Sequence, residues 1–559
     1  MSGDTGADLV ADAFEAYGVR HVFGNPGTTE LPVVRAVGER DLEYVLGLHE
    51  DVAVGMAAGY AQTRRYHAHH ESGVKPVGVV NLHVAPGTAH GLGNLYNASV
   101  TGAPLVVTAG NHSTDFRAQE PILSGDLVEL TDQFCKWSDE VLDVESLPTL
   151  LRRAFRVALT PPTGPVFLAL PLDVMQAETD AEPERLGPIP TAGAGDATQV
   201  DRAADLLVAA DRPVLVVGDH VARAGAVEAA VDLAEAAGAR VHGEILACEV
   251  NFPTGHDQWV SYLPPDADLA RTLLSTDTLV LAGCSTNTTL TRHEGELVDS
   301  ETTVVQLSDD AWEVGKLVPA DAAVVGDPGA VMDRIAERVR RGLDAGERAA
   351  RLEDVARFKA MADQQMRALG EDAADDPRAS KAELVDAMRE AAPGAYIVDE
   401  GVTAKYAMLT RWPLAAEQYV SNKGGGLGYG LPAAVGAAMA EAMRDEPRDV
   451  VGFVGDGSYL YYPHALYSAA RYGVDLAVVI PDNRNYRILK DNAADLFDDD
   501  AAAESLVGVD IDPPVDLPAN AESHGATGRL VEDPDAIADA VADAIAADGP
   551  VVVDVLVHD

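Results

Sequence analysis

Two short apolar runs late in the chain, Val450 to Val454 and Leu476 to Ile480, each stop at a polar turn. Gly455-Asp456-Gly457-Ser458 follows the first and Pro481-Asp482-Asn483 follows the second. Read as buried strands, they are joined by a segment with helical apolar spacing, Pro463 to Tyr472, which makes a parallel strand–helix–strand unit. Both polar turns then lie beyond the carboxyl ends of neighbouring strands, the edge at which open α/β sheets bind ligands. Asp456 and Asn483 offer hard oxygens to a divalent cation, and a Mg²⁺ held by so few protein oxygens usually also holds a phosphate. Either residue alone could be an ordinary turn or cap; the pair, with its spacing and flanking strands, argues for a site.

The same alternation runs through the chain. At 559 residues it is too long for one core, and three domains are expected. Candidate strands in the first are Val19 to Phe23, Glu43 to Leu48, Pro76 to Leu82, Pro104 to Ala109 and Val166 to Leu170, separated by Ala-rich helical patterns such as Asp51 to Thr63. A Pro- and Gly-bearing linker follows, from Glu178 to Asp196. The second unit has candidate strands at Pro213 to Val217, Arg240 to His242, Thr278 to Ala282 and Thr303 to Leu307. Its first turn, Gly218 to Gly225, lacks the dinucleotide GxGxxG pattern and gives a nucleotide role little support. A charged helical stretch from Glu347 leads through Gly370 to Pro377 into the third unit. The expected fold is α/β: three doubly wound parallel-sheet domains in series, covering 1–178, 198–345 and 375–559.

Ninety Asp plus Glu against 41 Lys plus Arg give a formal charge of −49, spread along the chain. Such a field disfavours nucleic acid and anionic membranes, and its acidic helix surfaces suggest a halophile's salt-rich cytoplasm. The three cysteines, Cys135, Cys248 and Cys284, show no disulfide or metal spacing. With no apolar run of spanning length and no leader-like start, a soluble cytoplasmic protein is expected.

Other strand ends carry further candidates. In the turn Gly24-Asn25-Pro26-Gly27-Thr28-Thr29-Glu30, either Thr28 or Thr29 caps the following helix, or Thr28 presents a hydroxyl to a pocket. Glu50 ends an apolar run and begins a tightly packed helix, so it is a helix-start acid or a carboxylate with a dedicated partner or proton. His83 ends another strand and can exchange protons near neutral pH or hold a turn; His90 and His112 are weaker candidates of the same kind. His67, His69 and His70, with Glu71, read as an exposed excursion rather than a closed metal site. In Gly424 to Gly430 the glycines bring backbone close to a ligand, with Leu427 either ordinary core or a prop for a bent organic cofactor. Gly401 and Val402, after the strand Ala395 to Val398, offer backbone N–H groups for phosphate.

This arrangement resembles the thiamine-diphosphate-dependent decarboxylase and acetolactate synthase superfamily, most of all its benzoylformate decarboxylase branch, over essentially the whole chain. The resemblance implies that Asp456, Asn483 and the backbone carbonyl of Asn485 hold Mg²⁺ on a thiamine diphosphate. Gly401, Val402, Gly457 and Ser458 would line the cofactor, and Leu427 would hold it bent. Glu50 would contact its aminopyrimidine and assist removal of the reactive ring proton. Thr28 and His83 would face the substrate, a small 2-oxo acid converted to an aldehyde and CO₂. A second histidine is sought at His112 or His293. Thr28 adds a methyl where the branch carries serine, and Asn485 to Lys490 place bulkier, cationic groups near the substrate. The family also implies a site shared between two chains, hence a homodimer as the smallest active unit and a homotetramer overall. Carboligation of the acetolactate synthase type and a non-catalytic cofactor-binding homologue are the alternatives.

Overall fold

The computed structural model describes residues 4–286, 288–289, 292–369, 376–497 and 505–559. They divide into two units, Met1–Ile189 with Pro377–Met408 and Asn422–Asp559, and Pro190–Asp376 with Leu409–Ser421.

The first unit contains two parallel sheets. In one, β1 (His21–Gly24), β2 (Glu43–Leu46), β3 (Gly78–His83), β4 (Leu105–Asn111), β5 (Ser138–Glu140) and β6 (Val166–Pro171) run in the order β2-β1-β3-β4-β6-β5. β3, β4 and β6 are buried almost throughout, as strands covered on both faces must be. The order reverses between β1 and β3, so the turns after Gly24 and His83 open at a topological switch point.

The second unit holds the middle sheet: β7 (Val214–Val217), β8 (Arg240–Gly243), β9 (Trp259–Tyr262), β10 (Thr278–Ala282), β11 (Thr303–Ser308) and β12 (Ala322–Val325), in the order β12-β11-β10-β7-β8-β9. Its core joins Leu215, Val217, Val280 and Val305 to the helices Val227–Ala237 and Pro328–Gly342. At its strand ends the fully buried Glu244 accepts N–H bonds from Asp219 (2.9 Å), Ser285 (2.7 Å) and Thr286 (2.7 Å).

Strand β13 (Tyr396–Glu400) returns the chain to the first unit, whereas β14 (Tyr419–Ser421) belongs to the second, where Val420 bridges Glu249. The remaining strands are β15 (Val450–Val454), β16 (Leu476–Asp482), β17 (Thr527–Val531) and β18 (Pro550–Leu556). Parallel pairing places β13 beside β15, β15 beside β16, β16 beside β18 and β18 beside β17. The strand–helix–strand unit expected around Asp456 is present, its helix spanning Ala465–Arg471.

Two helices join the outer sheets within the first unit, Glu50–His70 and Gly430–Glu441. Both are rich in small residues and buried almost all round, and they touch backbone to backbone. A Cβ on Gly436 would stand 1.9 Å from the Met56 carbonyl oxygen, and one on Gly59 would stand 2.1 Å from that of Ala433. Any larger side chain at either position forces the helices apart.

One sequence expectation is corrected here. His67, His69 and His70 do not form an exposed excursion; the helix that begins at Glu50 continues to His70, and His67 is buried. Its Nε2 lies 2.9 Å from Oε1 of the buried Glu441, which also accepts from Arg448. A buried carboxylate needs such partners, and the helix extends to supply one. The linker expected from Gly370 lies mostly outside the described residues.

Candidate active site

Strands β13, β15 and β16 end side by side, and the turns that follow enclose a pocket. It is lined by Gly401, Val402, Leu427, Asp456, Gly457, Ser458, Asn483 and Asn485, together with Lys381, Tyr486 and Arg487. Of the residues proposed from the sequence for metal and cofactor, all but Glu50 line this one cavity. Asp456 is buried: Oδ1 accepts from the Gly457 N–H at 2.8 Å, while Oδ2 has no hydrogen-bond partner. Ser458 Oγ and Asn485 Oδ1 are likewise buried and unpartnered. Unsatisfied buried oxygens are costly, and several facing one cavity indicate that a cation and polar ligand complete them.

Electrostatics point the same way. Asp456, Asp482 and Asp554 are all buried at the ends of β15, β16 and β18. Burial first, and then the adjacent Asp482 carboxylate, pushes the Asp456 carboxyl up; burial and Asp482 raise that of Asp554 to about 7. A divalent cation reverses this penalty by stabilising the charged forms. Sequence reasoning took Asn483 as the ligand and passed over Asp482, although both stand in the same triplet.

The backbone at the pocket is strained where it turns. Val402 has φ 51° and Arg484 φ 59°, left-handed conformations that a branched or long side chain rarely adopts. Behind Leu427, Glu400 fixes the loop. Its buried carboxylate accepts from the N–H groups of Gly428 (3.2 Å), Tyr429 (3.2 Å) and Gly430 (2.8 Å) and from Asn422 Nδ2 (2.6 Å). Glu400 is a second residue that sequence reasoning missed; the strand-end acid preceding Gly401 was its only signal.

A separate cluster gathers at the switch point of the first sheet. His83, the last residue of β3, places Nδ1 2.8 Å from Oε2 of the buried Glu30 and 3.3 Å from Thr29 Oγ1. Glu30 also accepts from the Gly27 N–H at 2.8 Å and from Thr29 Oγ1 at 2.6 Å. An ionised carboxylate only accepts, so Nδ1 carries the proton and Nε2 is the nitrogen left for chemistry. Thr28, by contrast, is exposed; sequence reasoning weighed Thr29 only as a helix cap and did not single out Glu30.

Glu50 is the first residue of its helix and almost buried, with Oε2 3.2 Å from His90 Nδ1. Gly87 is a glycine because Glu50 and His83 close in on it: a Cβ there would lie 2.8 Å from Glu50 Oε1 and 3.1 Å from the His83 Cβ. Glu50 and His83 thus flank one position. His49, Glu50 and His90 bring possible ligand atoms within 4.8 Å of one another, but two imidazoles suit a zinc-like ion, not Mg²⁺.

None of Thr28, Glu50 and His83 lines the Asp456 pocket. His112 turns Nε2 to the Ile122 carbonyl at 3.0 Å, and His293, in the second unit, has Nδ1 3.1 Å from the Gly295 carbonyl oxygen.

Three family models match in order along the chain: the thiamine pyrophosphate enzyme N-terminal TPP binding domain over residues 4–132, the central domain over 200–335 and the C-terminal TPP binding domain over 400–555. Benzoylformate decarboxylase of Pseudomonas aeruginosa is 32% identical over 544 residues, 96% of each chain. The chain belongs to the thiamine pyrophosphate enzyme family. A probable acetolactate synthase large subunit of Methanocaldococcus jannaschii is 26% identical over 573 residues, 99% of this chain and 92% of that one. The solved thiamine diphosphate-dependent 4-hydroxybenzoylformate decarboxylase of Rhodococcus jostii superposes with TM-score 0.84 at 30% identity, covering 99% of both chains.

The pocket fits what membership in this thiamine pyrophosphate enzyme family implies. Its orphaned Asp456 Oδ2, with the Asp482 carboxylate adjacent, suits Mg²⁺, and the buried, unpartnered Ser458 Oγ suits a phosphate oxygen. No helix among the described residues is long and apolar enough to cross a membrane.

Proposed function

We propose that this chain is a thiamine diphosphate- and Mg²⁺-dependent decarboxylase that converts a 2-oxo acid, benzoylformate-like in character, to an aldehyde and CO₂. The observation that carries the reading is the Glu30–His83 pair beside Glu50. It fixes one proton on Nδ1 facing Glu30, so that Nε2 is free to take up a second proton and hand it on at the switch point, and a proton delivered there quenches a carbanion instead of leaving it for a second 2-oxo acid.

The residues divide the work by chemistry. Asp456, Asn483 and the backbone carbonyl of Asn485 would hold Mg²⁺ and through it the cofactor's diphosphate; Gly401, Val402, Gly457 and Ser458 would line the cofactor, and Leu427 would support its rings. Thiamine diphosphate, when bound, supplies a cationic ring that accepts the electron pair left as CO₂ departs. Glu50 would hold the cofactor's aminopyrimidine by a hydrogen bond and assist its loss of a ring proton. His83, oriented by Glu30, orients the substrate carboxylate and then delivers a proton to the aldehyde product; Thr28 stands at the mouth.

The separation of the Asp456 pocket from Glu50 and His83 within one chain supports a site completed across a homodimer, assembled further into a homotetramer. Mixing inactive Glu50→Gln and Asp456→Ala proteins under subunit exchange then restores on the order of a quarter of the sites, because each mixed dimer keeps one intact pair. No recovery counts against shared sites. The charge of −49 supports a halophilic, cytoplasmic protein; unchanged activity and melting between 0.1 and 3 M KCl, the range of the test, would remove that reading.

The decisive experiment supplies thiamine diphosphate, Mg²⁺ and high salt with a panel of 2-oxo acids, recording CO₂, aldehyde and acetolactate. Benzaldehyde from benzoylformate supports the proposal. Acetolactate from pyruvate moves the chain to the synthase reaction, and absence of turnover leaves a cofactor-binding homologue.

A further inference from the structure

The two asparagines at the metal pocket share one carboxylate. Asn483 donates from Nδ2 to Asp559 Oδ1 at 2.6 Å, and Asn485 donates from Nδ2 to Asp559 Oδ2 at 2.9 Å. A carboxylate at these distances accepts and cannot donate, so each amide must turn its NH₂ toward Asp559 and its oxygen away. The chemistry of the shared carboxylate therefore sets the orientation of both amides.

Asp559 is itself held. Lys381 Nζ lies 3.5 Å from Oδ1, Arg487 NH1 lies 3.7 Å from Oδ2, and both residues line the Asp456 pocket. The Asn483 oxygen turned away from Asp559 is the one read as a metal ligand. Asn485 Oδ1 is buried without a partner; Asn483 Oδ1 has a long contact to the Asn485 N–H at 3.3 Å and retains a lone pair. Arg484, between them, is in the left-handed region at φ 59°, which lets both neighbours face the same carboxylate.

We propose that Asp559 is a positioning residue for the metal centre: by accepting from both amides it holds the Asn483 amide oxygen toward the cation and anchors the Asn485 side chain, and with it the residue whose backbone carbonyl serves the metal. It touches neither cation nor cofactor. The proposal rests on the reading of Asp456 and Asn483 as metal ligands. Partners of this outer kind orient first ligands, and their removal typically weakens metal affinity about 10- to 100-fold.

The test is metal binding without turnover. Mn²⁺ is titrated by electron paramagnetic resonance into protein saturated with thiamine diphosphate, comparing wild type with Asp559→Ala, Asp559→Asn and Asp456→Ala, alongside the melting temperature of each metal-free protein. Asp559→Ala is expected to raise the Mn²⁺ dissociation constant about 10- to 100-fold at an unchanged metal-free melting temperature. Asp559→Asn keeps the volume but satisfies fewer of the two donors, and falls between. Excess Mg²⁺ restores turnover in both. Affinities like wild type in both Asp559 variants, with binding lost in Asp456→Ala, overturn the positioning role alone. Wild-type affinity in Asp456→Ala as well overturns the metal site and the proposal with it. If Asp559→Ala does not fold, the comparison rests on Asp559→Asn, whose wild-type affinity is sufficient to overturn the role.

Discussion

His83 Nδ1 and Glu30 Oε2 stand 2.8 Å apart, and the Glu30 side chain has no solvent exposure. The pair fixes which imidazole nitrogen carries the proton, since Glu30 spends its other oxygen on Thr29. Glu30→Gln keeps the size of the side chain but can present an NH₂ to Nδ1, which favours the opposite tautomer. We expect turnover to fall by roughly 10²-fold or more, as for loss of general acid–base assistance, with cofactor affinity unchanged. Steady-state kinetics beside calorimetric cofactor titration measures both; a matching loss of cofactor affinity assigns Glu30 to the fold instead.

The acid cluster at the ends of β15, β16 and β18 makes the metal-free protein sensitive to alkali. Asp554 has its carboxyl raised to about 7 by burial and then Asp482, so its protonated form is the one the fold favours. That contribution is complete below about pH 4 and disappears as pH rises through about 7. Metal-free protein should therefore melt lower at pH 8 than at pH 5.5, and Asp482→Asn should flatten the difference. Thermal melts with EDTA and with Mg²⁺ plus thiamine diphosphate check this, the loaded protein regaining the alkaline loss.

Glu441 behaves in the opposite sense. Burial opposes its charge, but the His67 and Arg448 hydrogen bonds outweigh it and hold the carboxyl at about 2. The stabilisation is present above pH 4.5 and fades as pH falls toward 2; the difference amounts to about 3 kcal/mol. Glu441→Gln should lower stability at pH 7 by about that much, with the gap to wild type closing in acid. Urea unfolding at pH 7 and pH 3.5 measures it.

In the second unit, Glu244 occupies the backbone N–H groups at which an α/β sheet would hold a phosphate. ADP should leave the melting temperature unchanged. Glu244→Ala, by orphaning the buried Asp219 N–H and the partly buried N–H groups of Ser285 and Thr286, should cost about 1–3 kcal/mol for the buried one alone, read from urea unfolding.

Most of the strands that were readable from the sequence are central, the edge strand β2 being the exception. β10 and β15 fall where their apolar runs predict, because a strand covered on both faces has no reason to carry polar residues. β5, β9, β12 and β17 escape the pattern since each is a sheet edge; β12 alternates buried with exposed, and Ser138–Glu140 has no apolar residue at all. The site divides in the same way. Asp456 and Asn483 announce themselves by position after apolar runs and Leu427 by the glycines around it, and the fold gathers them. Glu30, Glu400, Asp482 and Asp559 act through partners 22 to 76 residues away or through a shared charge, and no local pattern marks such a partner.

The Glu50–His70 and Gly430–Glu441 helices meet through Gly59 and Gly436, each filled by the other helix's backbone. That reciprocity ties two stretches nearly four hundred positions apart into one heritable part. A chimera that took its last domain from a relative would inherit a mismatched seam unless the first domain's helix travelled with it, so recombination in such enzymes should respect this pair of helices before it respects the linkers.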